Sequence, residues 1–272
     1  MFTLYILLFV SFIILVVYVT RRKKRLPPGP IGLPIIGNLL SIDPKAPHES
    51  MAQLAWKYGH ISSLWMGSIF TVILSDPKLV RQAYAKDTFT DRARLYLTHG
   101  IMKGQGIIAA EGELWREHRK FVAGCLKNFG MARFASPRRN KLEERILIAV
   151  EETLVDTQIK DYDIPKGTMV LSVLWAIHLN PLYWPDPNAF KPARFISEDG
   201  SLKKPDAFFP FQCGKRMCIG DELARMMLFL FSARILQKFS LSAPLDHTID
   251  LEGQCGITLV PKSQRIVFKK RR

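Results

Sequence analysis

A chain of 272 residues, 48% of them hydrophobic, holds enough apolar material for a packed core and is not an intrinsically disordered protein. Its formal net charge of +15 sits largely in runs, Arg21, Arg22, Lys23, Lys24 and Arg25 near one end and Lys269, Lys270, Arg271 and Arg272 at the other, with no zinc-finger spacing or recognition-helix pattern; no nucleic acid is expected as a partner. Four cysteines, Cys125, Cys213, Cys218 and Cys255, are too few for a disulfide-stapled scaffold and point to a reducing compartment.

Phe2 to Thr20 carries no charge and is dominated by Leu, Ile, Val and Phe. As a helix it would run about 29 Å at roughly 1.5 Å per residue, the thickness of a bilayer's hydrocarbon core. Only Met1 precedes it and the basic run follows, which predicts a retained transmembrane signal anchor over residues 1–20, with the N-terminus lumenal and the body cytosolic. Residues 21–40 then form a basic stop and hinge. Leu26-Pro27-Pro28-Gly29-Pro30 cannot continue a helix and reads as a stiff connector that sets the body away from the bilayer. Ile31 to Leu40 is expected to lay an apolar strip against the domain.

Helical spacing follows at His48–Tyr58, then two short strands, Ile61–Leu64 and Phe70–Leu74, around a turn at Gly67-Ser68. Asp76-Pro77 opens another helix with Leu79, Val80 and Ala83 on one face. Residues 100–112 hold four glycines and read as a loop, and Gly104-Gln105-Gly106 within them fits neither a dinucleotide fingerprint nor a P-loop. Helices are expected at 114–126 and 141–154, and a pair of strands at 159–172 joined through Pro165-Lys166-Gly167. An ordered meander rich in Pro, Trp and Phe spans 180–195. A glycine-bearing loop at 211–220 leads into an apolar helix at 221–238, whose second half has so little polar face that burial is expected. A closing hairpin is expected from 257–260 and 265–268 around Pro261.

The strongest chemical signal is Phe211-Gln212-Cys213-Gly214-Lys215-Arg216-Met217-Cys218-Ile219-Gly220. Taken singly, Cys218 reads as an inert buried cysteine at a helix start, Arg216 as a surface charge and Cys213 as packing. A structural zinc pair from Cys213 and Cys218 lacks a second ligand pair. Together the ten residues resemble the haem-binding signature of the cytochrome P-450 family, F-x-x-G-x-R-x-C-x-G, at every defining position. Trp115-Arg116-Glu117-His118-Arg119 is similar to that family's W-x-x-x-R element, and positions 115 and 119 share one face of a helix. Trp184-Pro185-Asp186-Pro187 with Phe190-Lys191-Pro192-Ala193-Arg194-Phe195 resembles its aromatic meander. The hydrophobic anchor and Pro-Pro-Gly-Pro hinge look like the N-terminus of its microsomal animal members.

The resemblance implies a mainly α, α+β chain: a partial cytochrome P-450 fold with an N-terminal transmembrane helix, its haem domain divided into residues 41–152 and 153–272. It implies haem b (iron protoporphyrin IX), with Cys218 as the metal ligand through a thiolate that supports O–O cleavage. Gly214 and Gly220 would give the loop a tight path and a close approach to the porphyrin, Arg216, Trp115 and Arg119 would meet the propionates, and Phe211 would shield the sulfur. His178 reads as a packed histidine rather than an iron ligand, and Lys215 as a candidate for a donor-docking surface. The implied activity is O2-dependent hydroxylation of a small lipophilic substrate. The electrons would come from NADPH through NADPH-cytochrome reductase, with cytochrome b5 as a further partner, at the endoplasmic reticulum membrane.

The family's large central block is missing between Glu152 and Thr153. That block carries the acid-threonine oxygen-activation helix, the substrate roof and the E-x-x-R helix. Glu113 to Arg116 and Glu222 to Arg225 fit E-x-x-R by spacing but sit in the wrong elements, and Ala149-Val150-Glu151-Glu152-Thr153 lacks the glycine and long helix of the oxygen-activation motif. Arg194 loses its acidic partner with that block, and no catalytic residue is assigned. The alternatives to a monooxygenase are a catalytically inactive truncated product with weak or no haem binding, and a structural or partner-binding protein.

Overall fold

The computed structural model describes residues 25–128, 148–250, 252–255 and 258–271, with five helical positions of the N-terminal apolar segment. Most of the expected anchor, the basic run at 21–24 and the first half of the helix expected at 141–154 lie outside the described residues. Among the described residues no helix is long and apolar enough to cross a membrane.

Helix α1 (Pro47–Tyr58) starts on a proline, whose missing N–H is one the first turn leaves unbonded in any case, and it turns Met51, Ala52 and Ala55 inward. Strands β1 (Ile61–Met66) and β2 (Ile69–Leu74) pair antiparallel, with Met66 opposite Ile69 across the expected turn, where Gly67 takes φ +63°. Asp76 caps α2 (Pro77–Tyr84) by accepting from the Leu79 N–H at 2.9 Å. Helix α3 (Gly112–Asn128) buries Trp115. Beyond residue 147 come β3 (Ile148–Glu152), β4 (Thr157–Ile159), β5 (Tyr162–Ile164), β6 (Met169–Val173) and α4 (Leu174–His178). The long α5 (Asp221–Lys238) precedes β7 (Phe239–Ser242), β8 (Gly253–Cys255), β9 (Leu259–Pro261) and β10 (Val267–Lys270).

The central sheet has the order β1-β2-β6-β3, with β2 and β6 parallel from Thr71 opposite Met169 to Leu74 opposite Ser172. Strands from both sides of the expected junction thus share one sheet. Alternation sends Val72 and Leu74 to one face, against Leu79, Val80, Tyr84, Trp184 and Phe208, and Ile73 to the other, against Met51, Ala55, Leu171 and Ala176. Both faces are covered, which is why β6 is buried along its whole length.

Several expectations change. Residues 148–152 are a strand and not the end of a helix, because β6 offers a backbone edge that they fill in antiparallel register, Glu151 opposite Val170. Tertiary pairing overrides the local helical spacing there. The strands expected at 159–172 do not pair with each other: β5 pairs with β4 and β6 joins the central sheet. Likewise β9 pairs with β8 and β10 with β7, so no hairpin closes around Pro261. Within 100–112 a π turn (Tyr96–Ile101) ends and a short helix (Gly106–Ala109) forms.

The proline hinge is docked on β1: Ser63 donates its N–H to Pro28 O at 2.8 Å and its hydroxyl to Pro27 O at 2.7 Å. A Cβ on Gly29 would lie 1.8 Å from the Ser63 carbonyl oxygen, so only glycine permits that approach. The strip that follows lies on the domain as expected, with Gly37 bridged to Met66 and the Asn38 N–H on Trp65 O at 2.6 Å, while Ile31, Ile35 and Leu40 turn their side chains outward.

The largest departure is α5. It has no buried residue, and Leu230, Phe231 and Leu236 are 57%, 63% and 50% exposed. A helix apolar on all sides needs neighbours on all sides. The described residues cover only part of its surface.

Candidate functional site

The cysteine loop crosses the C-terminal end of α2. Gln212 and Gly214 take φ +67° and +80°, and the Lys215 N–H reaches the Tyr84 carbonyl at 3.0 Å. A Cβ on Gly214 would stand 2.2 Å from that same carbonyl oxygen, so Gly214 serves loop-to-helix contact. Tyr84 in turn donates its hydroxyl to Val170 O at 3.0 Å, which ties the loop through α2 to the central sheet. The loop closes with the Cys218 N–H on Phe211 O at 3.0 Å, and Gly220 is the N-cap of α5. Cys218 is half-buried and lies three residues before that helix. Phe211 is buried, with the Arg225 guanidinium 4.9 Å from its ring centroid. Cys213 packs against the core, and burial pushes its thiol up to about 11.

Arg216 points into the molecule. Its Nε donates to Thr90 O and one terminal nitrogen to Ala110 O, both at 2.6 Å, and its guanidinium carbon lies 4.0 Å from the centroid of Trp115. Arg119, one helical turn beyond Trp115, approaches the same ring at 5.7 Å. Three residues predicted from two separate motifs are thus gathered on one indole. Arg216 is 7% exposed and its Nη1 has no hydrogen-bond partner. Burial, and next the charge of Arg92, lower it to about 10. Arg119 is lowered by burial, an effect opposed by the nearby Cys218.

A second buried group joins them without any motif to announce it. Glu151, on β3, is 1% exposed and accepts from Arg92 Nη1 at 2.8 Å through Oε1, while Oε2 has no partner. Burial raises its carboxyl to about 7 against the pull of Arg92 and Arg216. Sequence reading passes over Arg92 and Glu151 because one acidic and one basic residue 59 positions apart carry no spacing signal. A charged residue inside an apolar β run is the one available hint.

Arg194 has found four carbonyls in place of a carboxylate: Lys191 O, Pro185 O, Asp186 O and Ala189 O, at 3.0 to 3.2 Å. It clamps the meander upon itself. His178 packs among Trp184, Phe208 and Phe209 and accepts from the Phe209 N–H at 3.5 Å. Lys215 pairs with Asp87. Glu113 and Arg116 pair with each other, exposed, at 3.1 Å, and Arg225 faces Asp221 at 3.9 Å, so neither chance E-x-x-R match builds a buried acid–arginine pair.

A groove of about 370 Å³ opens beside the loop along α5, lined by Gly220, Leu223, Ala224, Met227, Leu228 and Phe231. A Cβ on Gly220 would meet nothing within 4 Å, so Gly220 faces open space and not a backbone neighbour.

Comparison with known proteins matches the Cytochrome P450 family over residues 27–153 and 145–268. The two stretches meet across the region where the central block is missing. Cytochrome P450 306a1 of Drosophila melanogaster is 45% identical over an alignment of 509 positions that covers 90% of this chain and 89% of the fly protein. That alignment is longer than the chain, so an internal block of the fly protein faces a gap. Cytochrome P450 2J2 of Homo sapiens is 44% identical over 115 residues, 42% of this chain and 23% of the human protein. The steroid 17-alpha-hydroxylase/17,20 lyase of Squalus acanthias is 43% identical over 129 residues, 46% and 25% of the two chains. The chain therefore spans about a quarter of the two vertebrate relatives. With both matched stretches together covering nearly all of its length, the chain belongs to the cytochrome P450 family, the haem-thiolate monooxygenases, as a member truncated by an internal gap.

Proposed function

We propose that this chain binds haem b, with Cys218 as the thiolate ligand of the iron, Arg216, Trp115 and Arg119 taking the carboxylates, and Phe211, Gly214 and Gly220 shaping the loop beneath the ring. The observation that carries the reading is Arg216 Nη1, a buried charged donor with no partner, on a guanidinium stacked over Trp115. A propionate is the kind of acceptor such a donor lacks. The groove past Gly220, apolar and adjoining the cysteine loop, suits the face of a flat macrocycle. When bound, haem supplies the oxidising iron chemistry of a monooxygenase.

The chain's own residues do the holding. The N-terminus of α5 begins just beyond Cys218, and Arg119 places positive charge nearby. The Thr90 and Ala110 carbonyls fix the Arg216 fork, so its remaining donor keeps one direction.

The setting belongs to the same proposal. Residues 1–20 anchor the chain as a single pass in the endoplasmic reticulum membrane, with the body in the cytosol. The exposed Ile31, Ile35 and Leu40 support contact of the adjoining strip with lipid. A redox partner and a lipophilic substrate follow from the family; NADPH-cytochrome reductase and cytochrome b5 are the proposed donors.

One observation favours a second reading, a haem binder that does not hydroxylate. The face of α5 with Met227, Leu230 and Phe231 is open, and hydroxylation needs water kept from the reacting centre. Expression of the full chain with haem, reduction under carbon monoxide and a spectrum test the main reading: a thiolate-type Soret band that disappears in Cys218→Ser supports it, and no haem uptake sinks it. Product formation with added reductase separates the two readings.

A further inference from the structure

The second half of α5 carries apolar and basic side chains in one stripe. Met227, Leu230, Phe231, Arg234 and Lys238 recur at spacings of three and four along the helix, and all five are exposed. Directly after Lys238 the chain enters β7, which pairs with β10 so that Leu241 stands opposite Phe268 and Phe239 opposite Lys270. The Phe239 and Phe268 rings meet edge-on at 5.7 Å, yet Leu241 and Phe268 remain exposed. The Arg271 N–H reaches the Lys238 carbonyl at 2.8 Å, which fastens the basic end of β10 to the last turn of the helix.

The charge here has one sign. Residues 229–242 and 265–271 hold six basic side chains and no acidic one. Among the described residues only Arg265 of these six lies within ion-pair distance of a carboxylate, Asp246 at 2.9 Å. The acids of α5, Asp221 and Glu222, sit in its first turn, at the opposite end.

We propose that this face, the second half of α5 with the β7–β10 ribbon, docks on the surface of an anionic phospholipid bilayer. Acidic headgroups supply the negative charge missing beside Lys238, Lys270 and Arg271, while Leu230, Phe231 and Phe268 enter the boundary between headgroups and acyl chains. Arg234 and Lys238 rise from an apolar stripe on long stems, so their cations stay with the headgroups as the stripe sinks. A second copy of this chain does not fit, because two faces that carry only positive charge repel each other. Nucleic acid would meet the cations and leave the apolar side chains in water. The contact is additional to the anchor proposed for residues 1–20 and is independent of haem.

The test places a reporter on the stripe. Phe231→Trp, at an exposed position, is made in the full chain, which is reconstituted into vesicles of phosphatidylcholine alone or with about 30% phosphatidylserine, with and without bromine on the acyl chains. Bromine should quench about half of the added tryptophan's emission, taken against the wild-type chain, in the phosphatidylserine vesicles and little of it in phosphatidylcholine. Salt at about 0.5 M, or Lys238→Glu with Lys270→Glu, should remove most of that quenching. No quenching above the wild-type background, or equal quenching in the two lipids, overturns the proposal. So does a chain without quenching that sediments as a dimer in detergent, the result a second copy on this face would give. Slower tryptic cleavage of the wild-type chain after Lys238 and Lys269 on phosphatidylserine vesicles than on phosphatidylcholine supports the docking without any substitution, and equal rates reject it.

Failure of the anchor is read separately, by alkaline carbonate extraction. A chain that resists extraction but shows no quenching keeps the anchor and loses this docking face. A chain that is extracted yet shows phosphatidylserine-dependent quenching keeps the docking face and loses the anchor.

Discussion

Arg216 lies with its guanidinium carbon 4.0 Å from the centroid of the Trp115 ring, joining the cysteine loop to α3 across the gap in the chain. The indole is buried and forms the wall against which the guanidinium is set, so packing and charge act together. Trp115→Ala is expected to cost about 3–5 kcal/mol of stability through the lost core volume, and to abolish haem retention. Trp115→Phe should keep most of the stability while weakening haem binding. Urea unfolding and a haem titration of both variants check this.

Gly214→Ala should prevent the chain from folding as described. The added methyl would meet the Tyr84 carbonyl oxygen at 2.2 Å with φ at +80°, and neither backbone can yield without breaking the Lys215–Tyr84 hydrogen bond. Gly220→Ala, whose methyl meets nothing, should leave apo stability within about 0.5 kcal/mol and reduce haem affinity. Melting curves of the two apo variants, side by side, give opposite outcomes.

Arg194→Ala should destabilise the meander by about 2–3 kcal/mol, the sum expected from several modest hydrogen bonds on one cation. Arg194→Lys should recover little, because an ammonium cannot serve carbonyls in the separate directions of a planar fork. Proteolysis within 185–195, followed by mass spectrometry, reads the loosening directly.

Acid should stabilise one part of this molecule. The Glu151 carboxyl rises from 4.5 to about 7 through burial. Its contribution to stability is therefore fully present below the unfolded value and lost as pH rises through about 7. Denaturant midpoints of the apo chain should fall between about pH 4.5 and 7 and level off above, and Glu151→Gln should flatten that fall.

Leu230→Glu with Phe231→Glu should reduce aggregation of the full chain in dilute detergent without lowering its melting temperature, because both side chains already face outward. Light scattering and a melting curve suffice. A fall in melting temperature of several degrees would show that this face is covered in solution.

Much of the site was legible because its chemistry is written in short, locally spaced motifs. Phe211 to Gly220 placed the cysteine loop, and Trp115 with Arg119 fell on one helical face as the four-residue spacing required. The meeting of Arg216 with Trp115 followed from family resemblance and not from spacing, since residues in separate elements have no shared period. Glu151 figured only in a chance motif match that was set aside: its place in the site depends on a strand pairing with β6 that local pattern argued against. Burial of α5 was inferred from composition alone, yet composition says that a helix wants neighbours and not that the chain supplies them. The hairpin expected between 257–260 and 265–268 was misjudged because adjacent apolar runs are the default pairing, whereas β9 turns back on the unanticipated β8 and β10 reaches past both to β7.

The parallel pairing of β2 with β6 also orders events in time. Thr71 meets Met169 only after roughly a hundred further residues have been synthesised, and non-local pairing of this kind slows folding. Until then β2 has an unpaired inner edge, open to any other nascent strand. The ribosome must therefore release well over half of the polypeptide before the sheet can close, so β2 is the edge that has to be shielded during synthesis.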